Sequence, residues 1–338
     1  MSDTTLNATE SGMLADIRLH DIVVGVDGSD ESFAALRWAL NEASLTGQQV
    51  NAVFAWSHSW DMGSEPEDEE QWAEVRHEIA QRLRDWVSKA SQGMTINEDH
   101  VKLTSVKATG TSALLEIGKD AQQIVVGRRS LGRVARWFLG SLSESLAEAA
   151  QVPVTIVRIL DDEESSVQDA IANALTPSEN TVTYDLPGSP LPKNQRPIVV
   201  GVDGSETSRH ALRFAIDLAA LHHAPLQVMF CWQLKDLGVI EGYENAIAPI
   251  AVGQERAERI LDELLDSVEI PTAGIPDDFQ IESHAFHISA AKGLIAASRY
   301  ARHLVVGSRG LSGLDAHFLG SVSKQIVNFA DCTVTAVH

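Results

Sequence analysis

The stretch VVGSRGLSGLDAHFLGSVSKQIVNFA, residues 305–330, gathers the residue types that hold phosphate. Glycines at Gly307, Gly310 and Gly320 let a backbone approach a ligand closely or take a positive φ. Gly320-Ser321 opens a helix whose first N–H groups and positive dipole end face an anion, and Ser321 and Ser323 add hydroxyl donors. The arrangement recurs in VVGRRSLGRVARWFLGSLSESLAEAA, residues 125–150, with Gly127, Gly140, Ser141 and Ser143. Four arginines there, Arg128, Arg129, Arg133 and Arg136, form either a phosphate-directed patch or a solvated surface.

A second repeat supplies a carboxylate. IVVGVDGS runs from Ile22 to Ser29 and again from Ile198 to Ser205. Each copy reads as a strand buried on both faces, ended by Asp27 or Asp203 and a Gly-Ser turn. The aspartate is a turn former or a ligand contact, and a phosphate loop in register favours contact. A carboxylate repels pyrophosphate, so its place is near a base or ribose. Both the aspartate and the Gly loop fall at strand C-termini, where open α/β sheets bind ligands.

The elements that position these groups also repeat. FAALRWAL and RHALRFAI predict helices, and VNAVFAW and LQVMFCW predict second strands. EEQWAEVRHEIAQRLRDWV and GQERAERILDELLD predict long helices, and VPVTIV and TVTAV predict last strands. Strands alternating with helices mean a doubly wound parallel sheet, so the expectation is two α/β domains in tandem, 21–159 and 196–338. A flexible tail (1–20) precedes them, and an acidic, then Pro/Ser/Asn-rich linker (160–195) joins them, with SSVQDAIANAL able to form a short helix. The last strands, if left at sheet edges, invite pairing, and a tethered copy is the nearest partner. An intramolecular domain pair is therefore expected, with homodimerisation of chains as a further level.

The 338 residues carry a formal charge of -21, which disfavours nucleic acid and anionic membrane as partners. Two cysteines, Cys231 and Cys332, give no disulfide framework and read as buried core residues. The N-terminal residues lack a signal-peptide pattern and no apolar run reaches a membrane span, so the expected location is the cytoplasm. The twelve histidines show no metal-ligand spacing. G-x-x-x-x-G-K-[ST] and G-x-S-x-G are absent, and GVDGSD puts Asp where a dinucleotide fingerprint needs its second glycine.

At these residues the chain resembles a tandem universal stress protein. That family's motif is Gly, two residues, Gly, nine residues, Gly, then Ser or Thr, which Gly307, Gly310, Gly320 and Ser321 fit in full. The first half gives Gly127, Ser130, Gly140 and Ser141, with Ser130 in place of a glycine. The resemblance implies five-stranded parallel-sheet domains of the adenine-nucleotide α-hydrolase-like kind and dimerisation through the last strand. In the ATP-binding branch it also implies a nucleotide, alone or with Mg2+, held without an obvious catalytic group. On that pattern Asp27 and Asp203 approach adenine or ribose, and the backbone near Ala55 and Cys231 contacts adenine. Ribose and phosphates fall to Gly307, Arg309, Gly310, Gly320, Ser321, Val322 and Ser323, and in the first half to Gly127, Arg129, Ser130, Gly140, Ser141, Leu142 and Ser143. Two departures stand out. A Cβ at Ser130 costs roughly 1–2 kcal/mol if that position needs φ > 0, which ranks the second site above the first. The family's glycine before the fourth helix is matched by Gly110 but has no counterpart in FHISAAKGL. The expected function is a non-enzymatic, ATP-binding regulator of the stress response; the rivals are a slow ATP hydrolase and a dimerisation scaffold without nucleotide.

Overall fold

In the computed structural model, residues 20–56, 68–95, 98–128, 141–159, 196–270, 275–276, 279–310 and 319–338 are described. The expected short helix in the linker and the tail lie outside them. In the first half β1 (Ile22–Gly25), α1 (Asp30–Thr46), β2 (Val50–Trp56), α2 (Glu69–Ala90), β3 (Val101–Lys107), α3 (Gly110–Ile117), β4 (Gln123–Gly127), α4 (Ser141–Ala149) and β5 (Val154–Val157) follow one another. The second half repeats the order as β6 (Ile198–Val202), α5 (Glu206–Leu221), β7 (Leu226–Cys231), α6 (Ile250–Asp266), β8 (Ile281–Phe286), α7 (Ala290–Ala297), β9 (His303–Gly307), α8 (Ser321–Phe329) and β10 (Thr333–Val337).

The strands form a single ten-stranded sheet in the order β3-β2-β1-β4-β5-β10-β9-β6-β7-β8. Every pairing is parallel except β5 with β10, which is antiparallel. The expected union of the two last strands is thus the centre of the sheet. Pairing is short, with Ile156, Thr155 and Val154 opposite Val334, Thr335 and Ala336. Pro153, just before β5, lacks the N–H that would lengthen it.

Alternation along the strands sorts side chains into layers. Val23 and Val199 point into a core that runs unbroken under both halves, with Leu146, Ile326 and Val334. Ile22 and Val24 face a separate core under α1 and α2, and Ile198 and Val200 one under α5 and α6. One face therefore welds the halves through burial, while the other keeps two cores.

Polar groups fix how the halves meet. Thr155 Oγ1 donates to Gln123 Oε1 (2.8 Å), the Thr155 and Thr335 hydroxyls lie 2.7 Å apart, and Thr335 Oγ1 lies 2.7 Å from His303 Nε2. Each hydroxyl has one proton, so the chain runs one way: His303 Nε2–H to Thr335, Thr335 to Thr155, Thr155 to Gln123. Beside it, Arg302 Nη2 lies 2.8 Å from His222 Nδ1, and His222 Nε2 lies 2.7 Å from Glu42 Oε1. A guanidinium cannot accept, so the imidazole accepts the Arg302 N–H at Nδ1 and donates from Nε2 to the first half's carboxylate. A cavity of about 110 Å³ adjoins this group at the N-terminal ends of the strands, lined among others by Trp38, Glu42, Arg302 and Thr333. It lies at the sheet edge opposite the Asp203 turn.

Cysteines placed at Thr155 and Thr335 should form a disulfide within one chain, read on a non-reducing gel of dilute protein; crosslinks only between chains would contradict the pairing. Burial, then the neighbouring His222 and Arg302, holds the His303 pKa down at about 3, against 6.5 ordinarily. Between those values the unfolded chain binds the extra proton, so stability is complete above about 6.5 and falls as pH drops toward 3. His303→Gln, which places at 303 the residue found at the equivalent position 123, keeps a donor for Thr335 and loses the titration. Its acid-unfolding midpoint should move to lower pH, and an unchanged midpoint in circular dichroism would contradict this account.

Candidate functional site

The second-half site begins where β6 ends. Gly204 adopts φ +85, which an L side chain rarely takes. The turn it makes lets Asp203 Oδ1 accept the Ser205 N–H at 2.9 Å. Ser205 caps α5, its Oγ accepting the Ser208 N–H at 3.2 Å. One carboxylate oxygen thus serves the turn. The other, Oδ2, lies against the Gly loop: a Cβ at Gly310 would sit 2.4 Å from it. The turn role is thus met by Oδ1, and Oδ2 stands beside the Gly loop.

The remaining glycines have distinct jobs. A Cβ at Gly307 would come within 3.1 Å of Thr207 and the Arg309 carbonyl, which accepts from Thr207 Oγ1 at 2.7 Å. Gly307 thereby lets the first turn of α5 sit on the loop. Gly320 is the N-cap of α8, its N–H donating to the Ser308 carbonyl at 2.8 Å, and no side chain caps that helix. A Cβ there would lie 3.3 Å from Ser308 O. Ser321 is exposed and Val322 half-buried at this helix start. Ser323 is buried, and its Oγ donates to Gly307 O at 2.6 Å. That hydroxyl ties the helix to the strand, while Ser321 is the one facing outward.

At the end of β7 the Cys231 thiol is pushed up to about 12 by burial, so it stays protonated at neutral pH. A Cβ at Gly293 on α7 would lie 2.6 Å from Cys231 Sγ, so the sulfur occupies the space that glycine leaves. The equivalent first-half pair is Ala55 and Ala113, with the bulk exchanged. Gly110 needs no special room either: a Cβ would meet only a Leu142 methyl at 3.4 Å, which makes the equivalent Ala290 unremarkable.

The first half is built alike at the turn and differently around it. Asp27 Oδ1 accepts from Ser29 N (3.0 Å) and Oγ (2.5 Å), Gly28 has φ +86, and Ser29 caps α1. Asp27 is exposed, whereas Asp203 is half-buried. A Cβ on Gly28 would lie 2.6 Å from the ring of Trp86, which packs edge-on against Phe54 with centroids 5.0 Å apart. Ile260 stands 3.6 Å from the equivalent point at Gly204. Trp86 belongs to no motif; its signal in the sequence is the inward stripe of Ile79, Leu83, Trp86 and Ala90 at helical spacing. At Gly127 a Cβ would lie 2.2 Å from Glu31 O, so this glycine admits α1 as Gly307 admits α5. Ser143 is buried and Leu142 half-buried. Arg129, Ser130 and Gly140, with Arg133 and Arg136, lie outside the described residues, as does the Ser141 side chain.

Two basic residues turn elsewhere. Arg128, read as part of either a phosphate-directed patch or a solvated surface, does neither with these bonds: it reaches across to the second half, donating to Ala330 O (3.0 Å) and to Asn328 O. Lys324, the nearest lysine to the second loop, pairs with Glu144 of the first half, which raises its pKa. Arg309 is half-buried; burial first, then its charge, holds the His338 pKa down at about 4.

The comparisons agree with this architecture. A universal stress protein of Mycolicibacterium smegmatis is 29% identical over 94% of this chain and 97% of its own length. One of Mycobacterium tuberculosis is 28% identical over 92% of this chain and 94% of its own. Among solved structures, a universal stress protein from Archaeoglobus fulgidus superposes with a TM-score of 0.57 at 15% identity, covering 94% of this chain and 97% of that one, and shows the same fold. The profile of the universal stress protein family matches residues 19–158 and again 195–338, and the chain belongs to that family.

Proposed function

We propose that this chain is a non-enzymatic adenine-nucleotide sensor of the stress response, holding ATP at the C-terminal edge of the sheet, one site in each half. The observation that carries the reading is the meeting of Asp203 Oδ2 with the backbone of Gly310, where a Cβ would stand 2.4 Å away. A carboxylate suited to a ribose or base then lies beside a loop suited to phosphate, and the side-chain-free N-terminus of α8 completes the anion end. Gly307, Arg309, Gly310, Gly320, Ser321 and Val322 would cradle ribose and phosphates, with Ser323 holding the cradle in place. The Cys231 backbone would border adenine. Asp27, Ala55, Gly127, Ser141, Leu142 and Ser143 would do the same in the first half, with Arg129, Ser130 and Gly140.

No cluster of three metal-ligating side chains occurs among the described residues. A Mg2+ accompanying ATP would accordingly be carried on the phosphates. No helix among the described residues is long and apolar enough to cross a membrane, which is compatible with a regulator working in the cytoplasm. Hydrolysis is the second reading, and the ion pair of Lys324 with Glu144 weighs against it by turning that cation from the γ-phosphate.

In the full chain, calorimetry should find that Asp203→Ala weakens the tighter ATP site and Asp27→Ala the weaker one. The reverse order would mean that first-half arginines outweigh the missing glycine. Gly310→Ala and Gly320→Val should each lower affinity at least tenfold, about 1.4 kcal/mol, while thermal unfolding stays within a few degrees. Unchanged affinity in a folded Gly320→Val protein would remove the site assignment. Labelled ATP should stay intact over hours with the bound protein; turnover would favour the hydrolase.

A further inference from the structure

The two helices that open the loops are in contact across the halves. Lys324 in the first turn of α8 pairs with Glu144 in the first turn of α4, and these two positions are equivalent in the repeat. At the other end of α8, two first-half guanidinium groups grip its last carbonyls. Arg128 donates to Asn328 O and Ala330 O, and Arg158 donates to Ala330 O (2.6 Å) and to Asp331 Oδ1 (2.9 Å). Cations at a helix C-terminus complement its dipole as an anion does at the N-terminus. Arg128 directly follows Gly127, the last residue of β4 and the first glycine of the first-half motif. The second-half residues at the equivalent positions are Ser308 and His338. Neither has a cationic reach like Arg128's, and among the described residues Ser308 Oγ and His338 Nε2 have no hydrogen-bond partner. The grip therefore runs one way, from the first half onto the helix of the second.

We propose that Arg128 and Arg158 are positioning residues for the second nucleotide site, and that occupancy of that site is transmitted through α8 to the strand ends bordering the first. This rests on the nucleotide reading given above. Helix α8 has nine residues and a length of about 13 Å, so a rigid shift at Gly320 moves Ala330 with it. Ala330 cannot move without disturbing hydrogen bonds from the ends of β4 and β5. By linkage, the disturbance acts equally in both directions.

Amide hydrogen exchange on the full chain, with ATP as the probe, tests this. ATP should slow exchange at 203–205 and 319–323, and at the same concentrations at 124–128 and 154–158, by about fivefold or more. In an Asp27→Ala background, which removes the weaker site, both effects should remain, and adding Asp203→Ala should abolish them together. Arg128→Ala combined with Arg158→Ala should keep the second-half protection, shifted to several-fold higher ATP, and lose the first-half protection. Should that variant fold poorly, Arg128→Ser, which places at 128 the residue found at 308, is expected to give the same loss. First-half protection that is lost with Asp27→Ala alone comes from ATP bound there and overturns the coupling. Protection confined to the second half of the unmodified chain overturns it too. Absence of protection at 203–205 and 319–323 overturns the nucleotide reading itself, and the coupling with it.

Discussion

The antiparallel meeting of β5 and β10 is the constraint on which the rest of this molecule depends. Either strand alone would leave a row of unpaired backbone groups at a sheet edge. Joined, they turn two parallel sheets into one of ten strands, with both last strands at its centre. Hydrophobic burial alone would tolerate slippage along so short a ladder. The hydrogen-bonded chain from His303 through Thr335 and Thr155 to Gln123 removes that freedom, because any shift strands buried donors and acceptors. Each such orphan costs roughly 1–3 kcal/mol, comparable with what a few apolar contacts could regain.

Duplication within one chain allows what a symmetric dimer forbids. At a two-fold axis identical residues face each other, so Glu144 would meet Glu144 and Lys324 would meet Lys324. Here the axis-related positions carry opposite charges and form a pair. The same divergence gives arginines at 128 and 158 against Ser308 and His338, and Gln123 against His303. Pairing of unlike halves is therefore favoured over pairing of like ones, whether within a chain or between chains. The exposed part of this selectivity is modest and screened by salt; the buried His222 bridge between Arg302 and Glu42, whose equivalents in the other half are Thr46, Gln122 and Leu218, contributes a part that salt reaches less.

What the sequence made legible follows from the range of the forces involved. Strands such as IVVGV and the DGS turns are local: periodicity, a glycine with φ near +85 and a capping serine suffice to announce them. The Gly loops were legible as motifs, and their place with the aspartates at strand C-termini followed from topology; the direct approach of Asp203 Oδ2 to Gly310 did not. The division of labour within the motif was not. Ser321 and Ser323 look alike in a first helical turn, and only the β9 carbonyl that Ser323 meets separates a structural hydroxyl from an outward one. Arg128 read as part of a basic loop because its partner stands in the other half. Cys231 with Gly293 is a compensation in volume that neither residue announces alone.

An acidic chain proposed to hold a polyanion would have to overcome its own field locally. With a formal charge of -21, long-range electrostatics oppose ATP, and the opposition is screened beyond about 8 Å at physiological salt. What decides is charge within that distance. The strand C-termini around β5 and β10 carry Arg128, Arg158 and Arg309, and burial first, then the Arg309 charge, holds the His338 pKa down at about 4. Arg128 and Arg158 are spent on the carbonyl end of α8, neutralising the negative pole of the helix whose positive pole faces the second Gly loop. The first half thus lends its cations to the helix that opens the second half's candidate anion site, and the half that keeps Gly310 beside its aspartate is also the half whose helix is supported from behind.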